Sequence, residues 1–219
     1  MTGSVFDPSF ADLPRHLPVF PLTGVLLLPG GRLPLNIFEP RYLAMTRHAL
    51  AHGQMIGMIQ PQEGAGDAGD PPLYRTGCMG RIVEFRETDD GRYLITLAGA
   101  ARFDVTAEAP RDTLFRLVVA DWRRYAHDLE DGEPELERDR LTAALQPYFR
   151  RHGIAADLAA IAAAPADRLI SSLAMLCPFA SSEKQALLEA EDGTARAKLL
   201  ITLIEMAALG GGEPDGARH

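Results

Sequence analysis

The pattern of apolar and polar positions changes near residue 126. Before this point, short apolar runs are separated by Gly and Pro, which is typical of strands joined by turns. After it, Ala- and Leu-rich stretches carry apolar residues at helical spacing. The pattern predicts an α+β protein with a β-rich lobe over residues 1–125, a helical lobe over 126–209 and a disordered tail over 210–219.

The β-rich part contains six or seven strand-like runs. Asp-Gly at 90–91 indicates a hairpin between two of them, and Gly77 and Gly80 predict a bulge or a close backbone approach. The prolines of the first run favour an edge strand, because proline cannot donate to a ladder. Together the runs predict a curled sheet or a partly closed barrel. They are Leu17–Leu22, Leu33–Phe38, Met55–Ile59, Leu73–Phe85, Tyr93–Leu97, Ala101–Thr106 and Leu114–Trp122.

One helix interrupts the strands. Proline is favoured in the first turn of a helix, so Pro40 predicts its start, and Gly53 is placed to end it. The Gly- and Pro-rich stretch Gln62–Pro72 predicts a mobile loop.

The second lobe reads as several helices. Pro147 predicts a kink or a break in the first of them, and Ser182 with Gln185 matches a capping box. Further helices are predicted over Ile154–Ala164, from Pro165, and through Leu199–Ala207 up to the glycines at 210–212.

Composition narrows the function class. The 219 residues are 47% apolar and carry a net charge of −8, which disfavours a broad phosphate-binding surface. Two cysteines, Cys78 and Cys177, supply neither a disulfide framework nor a four-ligand zinc site. No apolar run approaches the about 20 residues that a bilayer crossing needs, and the first 15 residues lack the features of a signal peptide. We therefore expect a cytoplasmic protein that does not contact membranes.

Four segments resemble a known family. Leu17–Met45 is similar to the opening of the Lon protease N-terminal, substrate-binding domain, with its Leu-Pro strands, Pro-Gly turn and following helix. Leu73–Ile82, the hairpin Asp90–Phe103 and the Glu-Lys-Gln segment Glu183–Glu189 continue the resemblance in the same order. The match covers Leu17–Ala208.

This resemblance implies a PUA-like pseudo-barrel followed by a helical bundle, with a role in recognising unfolded or partly folded polypeptides. The P-loop pattern G-x-x-x-x-G-K-[ST] is missing from the sequence, as is a Ser-Lys protease domain. We therefore expect an ATP-independent, non-catalytic binding module without cofactor or metal, acting as an adaptor for a separate protease or chaperone.

The family-like strand-to-helix corner is the candidate binding site. Its residues are Phe38, Glu39, Arg41 and Tyr42, with Leu33 and Met45 as supports. The structural interpretation of Glu39 places it near free backbone N–H groups at the helix start, with Arg41 paired or solvated. In the functional interpretation, an extended polypeptide lies against an apolar patch or an open sheet edge.

Other chemistry has weaker support. His48 and His52 lie four residues apart on the first helix, but Ala49 replaces the glutamate of H-E-x-x-H. No cysteine-enzyme signature surrounds Cys78, and no G-x-S-x-G elbow occurs. Two alternatives stay open: a nucleic-acid-binding PUA-like protein, which an electropositive groove would support, and a small-molecule enzyme, which a polar pocket with perturbed pKa values would support.

Overall fold

The computed structural model describes residues 9–62, 70–110, 112–130, 132–154, 161 and 163–210. Its six strands are β1 (His16–Pro21), β2 (Arg32–Ile37), β3 (Met55–Ile59), β4 (Thr76–Glu87), β5 (Tyr93–Glu108) and β6 (Arg116–Asp121). Its helices are α1 (Pro40–Ala51), α2 (Arg138–His152), α3 (Ala166–Leu176), α4 (Ser181–Glu189) and α5 (Gly193–Leu209). Short 3-10 helices span Phe10–Asp12 and Arg123–Leu129. The predicted α+β architecture is confirmed.

The strands form a barrel with one strand outside the ring. Their order is β2-β5-β4-β3-β1-β6, and β6 also pairs with β5, so five strands close on themselves. This closure is possible because β5 is 16 residues long. Its first half pairs with β2 and its second half with β6. Closing a sheet removes the edges of the strands in the ring. Strand β2 lies outside the ring and has a neighbour on one side only among the described residues.

The prediction that the first strand lies at an edge is wrong, since β1 lies between β3 and β6. The two pairings are staggered along β1. Pro18 falls in the half that pairs with β6, opposite Leu117, and Pro21 falls in the half that pairs with β3, opposite Ile59. Each proline therefore has a paired strand on one side only. Its missing N–H does not interrupt hydrogen bonding between β1 and two strands at the same position.

Local signals placed other boundaries correctly. Helix α1 begins at Pro40, Gly53 after it has φ +85°, and Gly91 in the β4–β5 turn has φ +81°. The predicted strands Tyr93–Leu97 and Ala101–Thr106 merge into β5. The predicted Gln62–Pro72 loop and Ile154–Ala164 helix lie largely outside the described residues, as does the tail after Gly210.

The helical lobe differs from expectation at two places. Helix α2 continues through Pro147, so the predicted break is wrong, whereas the alternative of a kink stays a prediction. Helix α4 begins at Ser181, so Ser182 lies inside it and is not its N-cap; the Glu183 carboxylate accepts a hydrogen bond from the Ala180 N–H at 2.8 Å. Gln185 takes no part in the predicted capping box because it is buried and bonds to the β lobe.

The core joins both lobes. One cluster of buried apolar side chains includes Leu28 and Ile37 of the β lobe together with Leu145, Leu187 and Leu200 of the helical lobe. A second cluster fills the barrel around Phe103 and Trp122. Burial of apolar area at about 25 cal/mol per Å² makes such a shared core the main force holding two lobes together.

One glycine shows how tightly the barrel packs. A Cβ at Gly77 would lie 2.5 Å from Phe103 Cζ and 2.7 Å from the Met58 carbonyl oxygen. Any larger residue would displace the ring or the neighbouring strand. The predicted close approach at Gly77 is confirmed.

Hydrogen bonds reinforce the contact between lobes. Lys184 is buried on α4 and its Nζ donates to the Gly24 carbonyl oxygen at 2.7 Å. The Gln185 amide donates to the Thr76 carbonyl oxygen at 3.2 Å.

Within the part of the chain that the structure describes, no helix is both long and apolar enough to traverse a bilayer.

Candidate functional site

A three-stranded arm extends from the barrel beside α1. It consists of β2, residues 93–98 of β5 and residues 84–87 of β4. The partner strand β3 reaches only as far as Arg81 on β4, so the end of β4 leaves the ring together with β2. The arm therefore has an inner face toward α1 and the core, and an outer face without a covering element among the described residues.

Strand alternation sorts the side chains of the arm. Tyr93, Ile95 and Leu97 are buried, whereas Leu94 and Thr96 between them are partly exposed. Odd positions of β5 thus face the core and even positions face outward.

The outward residues line an open groove of about 560 Å³. The register places Pro34, Thr96 and Glu84 in one row across the three strands, and Asn36, Leu94 and Arg86 in the next. We call these six residues the outer-face groove. The period-2 pattern of the predicted strands contained this information, but assigning the groove required knowing that β2 pairs with β5.

Phe38 lies at the end of this groove. It is 60% exposed and follows Asn36 by two positions, on the same side of the chain. The Arg92 guanidinium carbon lies 5.9 Å from the Phe38 ring centroid, and Arg92 directly precedes the first residue of β5. The structure thus brings one predicted site residue next to a surface that the sequence did not single out.

Glu39 and Arg41 form an exposed ion pair at the same corner. The Arg41 Nε donates to Glu39 Oε2 at 3.0 Å, and the Arg41 guanidinium carbon lies 4.5 Å from the Tyr42 ring centroid. Glu39 is the N-cap residue of α1, at the helix start where the structural interpretation places it, but its side chain makes no capping hydrogen bond. Arg41 attracts it instead, because the opposite charge is only two residues away.

The other three predicted site residues support the corner from beneath. Met45 is fully buried, and Tyr42 is 7% exposed with its ring centroid 4.1 Å from that of Phe20. Burial raises the pKa of the Tyr42 hydroxyl. Leu33 is half-buried and packs against the core. Of the six, Tyr42 and Met45 are buried, so a partner could reach them only after rearrangement of the core.

The two histidines of α1 stack on each other. Their ring centroids are 4.3 Å apart, and His52 Nδ1 lies 2.8 Å from the His48 carbonyl oxygen. Burial, with a smaller contribution from His52, lowers the pKa of His48. Across the described ranges, no group of three or more His, Cys, Asp or Glu side chains could hold a metal ion.

Both cysteines are buried thiols. Burial raises the pKa of Cys78 and raises that of Cys177 to about 11. Only a thiolate is nucleophilic, so neither group is set up for catalysis at neutral pH.

This burial gives a direct prediction. Native protein at pH 8 should release almost no chromophore from an aromatic disulfide reagent within minutes, whereas protein unfolded in guanidinium should react at both cysteines. Rapid stoichiometric reaction of the native protein would contradict the buried, protonated state of the thiols.

A second cavity lies where the lobes meet. This cleft of about 440 Å³ is lined in part by Asp128, Asp192 and Arg196. Asp128 accepts hydrogen bonds from Arg102, and Asp192 caps α5 by accepting from the Ala195 N–H at 2.7 Å. Two carboxylates that could act as acid or base in the cleft are thus engaged in holding the fold.

Comparison with known proteins decides the family. The model of the ATP-dependent protease La (LON) substrate-binding domain matches residues 16–206. The chain belongs to the Lon substrate-binding domain family. Lon protease 2 of Myxococcus xanthus is 27% identical over 197 residues, and Lon protease of Parabacteroides distasonis is 28% identical over 201 residues. These alignments cover 88% and 86% of this chain but only 24% and 23% of the relatives.

Solved structures agree with this assignment. The Lon N-terminal domain protein from Xanthomonas campestris superposes with a TM-score of 0.61 and 26% identity, over 85% of this chain and 97% of that one. The N-terminal domain of Mycobacterium avium complex Lon protease shares the fold, with a TM-score of 0.56, 21% identity, and coverage of 86% and 97%. The chain spans about a quarter of the length of the Lon proteases that it matches.

The segments that carry the Lon resemblance meet inside the molecule. Arg102 from the hairpin segment donates to the Leu188 carbonyl oxygen of the Glu-Lys-Gln helix at 3.0 Å. The side-chain amide of Gln185 in that helix donates to the carbonyl oxygen of Thr76, which lies in the Leu73–Ile82 segment, at 3.2 Å. These contacts hold the lobes together. None of them involves the outer-face groove, although four groove residues belong to Lon-like segments: Pro34, Asn36, Leu94 and Thr96.

Proposed function

We propose that this chain binds exposed segments of other polypeptides without catalysing a reaction. The binding surface is the corner at Phe38 together with the outer-face groove. Family membership supports the class of ligand, because the matching domain is described as substrate-binding in Lon proteases.

The observation that carries the proposal is the exposure of Phe38. A phenylalanine that is 60% exposed leaves most of its ring in water, and aromatic side chains of this kind dominate the energetics of interfaces. The Leu94 and Pro34 side chains of the adjoining groove extend this apolar surface. A bound apolar segment would remove this surface from water.

The groove favours binding across the sheet face over addition of a strand to β2. The free edge of β2 carries Pro34, which has no N–H to donate to an added strand. Side-chain contacts on the face therefore supply most of the affinity.

The charges of the arm favour polypeptide over nucleic acid. Arg92 pairs with Asp90 at 2.8 Å and Arg32 with Glu84 at 3.6 Å. Since phosphate binding depends on unneutralised Lys and Arg, a nucleic-acid backbone would meet mixed charge here.

Truncation of Phe38 tests the site. Phe38→Ala should weaken binding to apolar peptides on an immobilised array by about ten-fold or more, because a central interface aromatic contributes roughly 2 kcal/mol and 1.4 kcal/mol equals ten-fold. Phe38 is suited to the test because its exposed ring can be removed without opening the core, unlike Tyr42.

Leu176→Ala is the matched control. Leu176 is 81% exposed on α3 of the helical lobe, so the variant loses a comparable apolar side chain away from the arm. Circular dichroism should show both variants folded. Equal binding by the two variants would move the site elsewhere, and no peptide binding by the wild type would remove the proposed function.

The proposal includes a role as an adaptor for a separate protease or chaperone in the cytoplasm. Such a partner should be recovered with the tagged chain from its native cell and should be depleted by excess apolar peptide if both compete for the groove. Recovery of neither class of protein would count against this role.

A further inference from the structure

The arginines on the arm and beside it differ in whether they have a partner. Arg41 pairs with Glu39 at 2.9 Å, Arg92 pairs with Asp90, and Arg32 pairs with Glu84. The Arg47 Nε donates to the Tyr93 hydroxyl at 2.9 Å. These four arginines on the arm or beside it are therefore already engaged.

Arg86 is the exception. It is exposed, and its guanidinium has no hydrogen bond or ion pair with any residue that the structure describes. Its position in the register is opposite Leu94, which is in turn opposite Asn36 on β2. The Asn36 side-chain amide is exposed and likewise has no partner among the described residues.

These positions put one unsatisfied polar group on each side of the apolar Leu94 side chain. Arg86 supplies N–H donors in a planar fork that matches a carboxylate. Asn36 supplies both a donor and an acceptor, as a peptide group requires. Leu94 lies between them, and the exposed Phe38 ring follows Asn36 by two positions.

We infer that the outer-face groove selects polypeptide segments in which an acidic side chain is flanked by apolar ones, with Arg86 binding the carboxylate. This inference rests on the proposed function and names the class of segment that the site takes. The apolar flanks contact Leu94 and Phe38, and the carboxylate neutralises Arg86, which has no partner among the residues that the structure describes.

The neighbouring acid does not weaken this assignment. Glu84 lies two residues from Arg86 on the same face, but its Oε2 accepts a hydrogen bond from Thr96 at 2.8 Å and its Oε1 lies 3.6 Å from Arg32. The Glu84 carboxylate is thus engaged by Thr96 and Arg32, so the charge of Arg86 remains available to a ligand.

The test is a charge exchange between protein and peptide. Two fluorescent peptides share an apolar sequence with one central residue, either Glu or Lys, and their binding to the full chain is measured by anisotropy. Wild type should prefer the Glu peptide by about five-fold, as expected for a partly exposed ion pair worth up to roughly 1 kcal/mol. Raising the salt from 50 mM to 500 mM should shrink this preference, because exposed charges are screened.

Substitutions at Arg86 should change the preference without abolishing binding. Arg86→Glu should favour the Lys peptide, and Arg86→Lys should keep a reduced preference for Glu. Arg168→Glu is the matched control, since Arg168 is exposed on α3 and receives the same change of charge. It should leave the preference for Glu intact.

The outcomes distinguish failure of the acidic selectivity from failure of the proposed polypeptide binding. Equal binding of both peptides by wild type and Arg86→Glu would overturn the acidic selectivity and leave polypeptide binding in place. Failure of wild type to bind either peptide would overturn both. Displacement of the Glu peptide by an oligoribonucleotide that itself depends on Arg86 would also overturn the inference, since the groove would then take a polyanion.

Discussion

Replacing Arg102 with leucine is expected to lower the free energy of unfolding by about 3–5 kcal/mol, the range for breaking a buried ion pair from one side. Arg102 is fully buried on β5. Its Nε and Nη2 donate to the two carboxylate oxygens of Asp128 at 2.8 and 2.7 Å. The substitution would leave the Asp128 carboxylate buried without its cation.

Arg102 also holds the end of α4. Its Nη1 donates to the carbonyl oxygens of Leu188 and Ala190, and its guanidinium carbon lies 4.1 Å from the Tyr125 ring centroid. Lysine cannot reproduce this planar set of donors. Arg102→Lys should therefore also destabilise the fold, although by less than leucine does.

Urea unfolding measures the effect, with Arg123→Leu as the control. Arg123 pairs with Asp121 alone among the described residues and its side chain is 84% exposed, so its loss should change stability by less than about 1 kcal/mol. A stability loss for Arg102→Leu no larger than that of the control would show that the buried network contributes little.

Leu200→Ala is expected to destabilise both lobes together by about 2–5 kcal/mol, as for other buried leucines. Leu200 is fully buried on α5, in the cluster that also contains Leu28 and Ile37 of the β lobe. The cavity left by truncation would remove contacts from a core that neither lobe completes alone.

Two probes report on the lobes separately. Trp122, the one tryptophan of the chain, is buried in the barrel and reports by fluorescence, whereas far-UV circular dichroism follows the helices. The two denaturation curves should coincide in wild type and should shift equally in Leu200→Ala. Separate transitions would show instead that the predicted boundary near residue 125 divides two independently folding units.

The matched control for this change lies on the same helix. Leu209 is 88% exposed, so Leu209→Ala should change stability by no more than about 0.5 kcal/mol. An effect as large as that of Leu200→Ala would show that loss of core packing does not explain the destabilisation, since alanine favours helix at least as well as leucine.

Local chemistry made several features readable from the sequence. Pro40 and Gly53 bound α1 because one residue has a fixed φ and the other tolerates a positive φ. The Asp-Gly pair at 90–91 predicts its hairpin because Gly91 tolerates the positive φ that the turn requires. The order of the segments between Leu17 and Ala208 also sufficed to place the chain in the Lon substrate-binding domain family.

Contacts between distant segments decided the rest. The closure of β6 onto β5 placed β1 inside the ring, and the burial of Gln185 against the β lobe displaced the predicted cap at Ser182. Tyr42 and Phe38 are similar aromatic residues four positions apart, yet one packs on Phe20 and the other lies in water. Sequence spacing does not contain this difference, because burial depends on which strand or helix the fold brings to each face. Likewise, only the pairing of β2 with β5 and of β5 with β4 aligns Arg86 with Leu94 and Asn36.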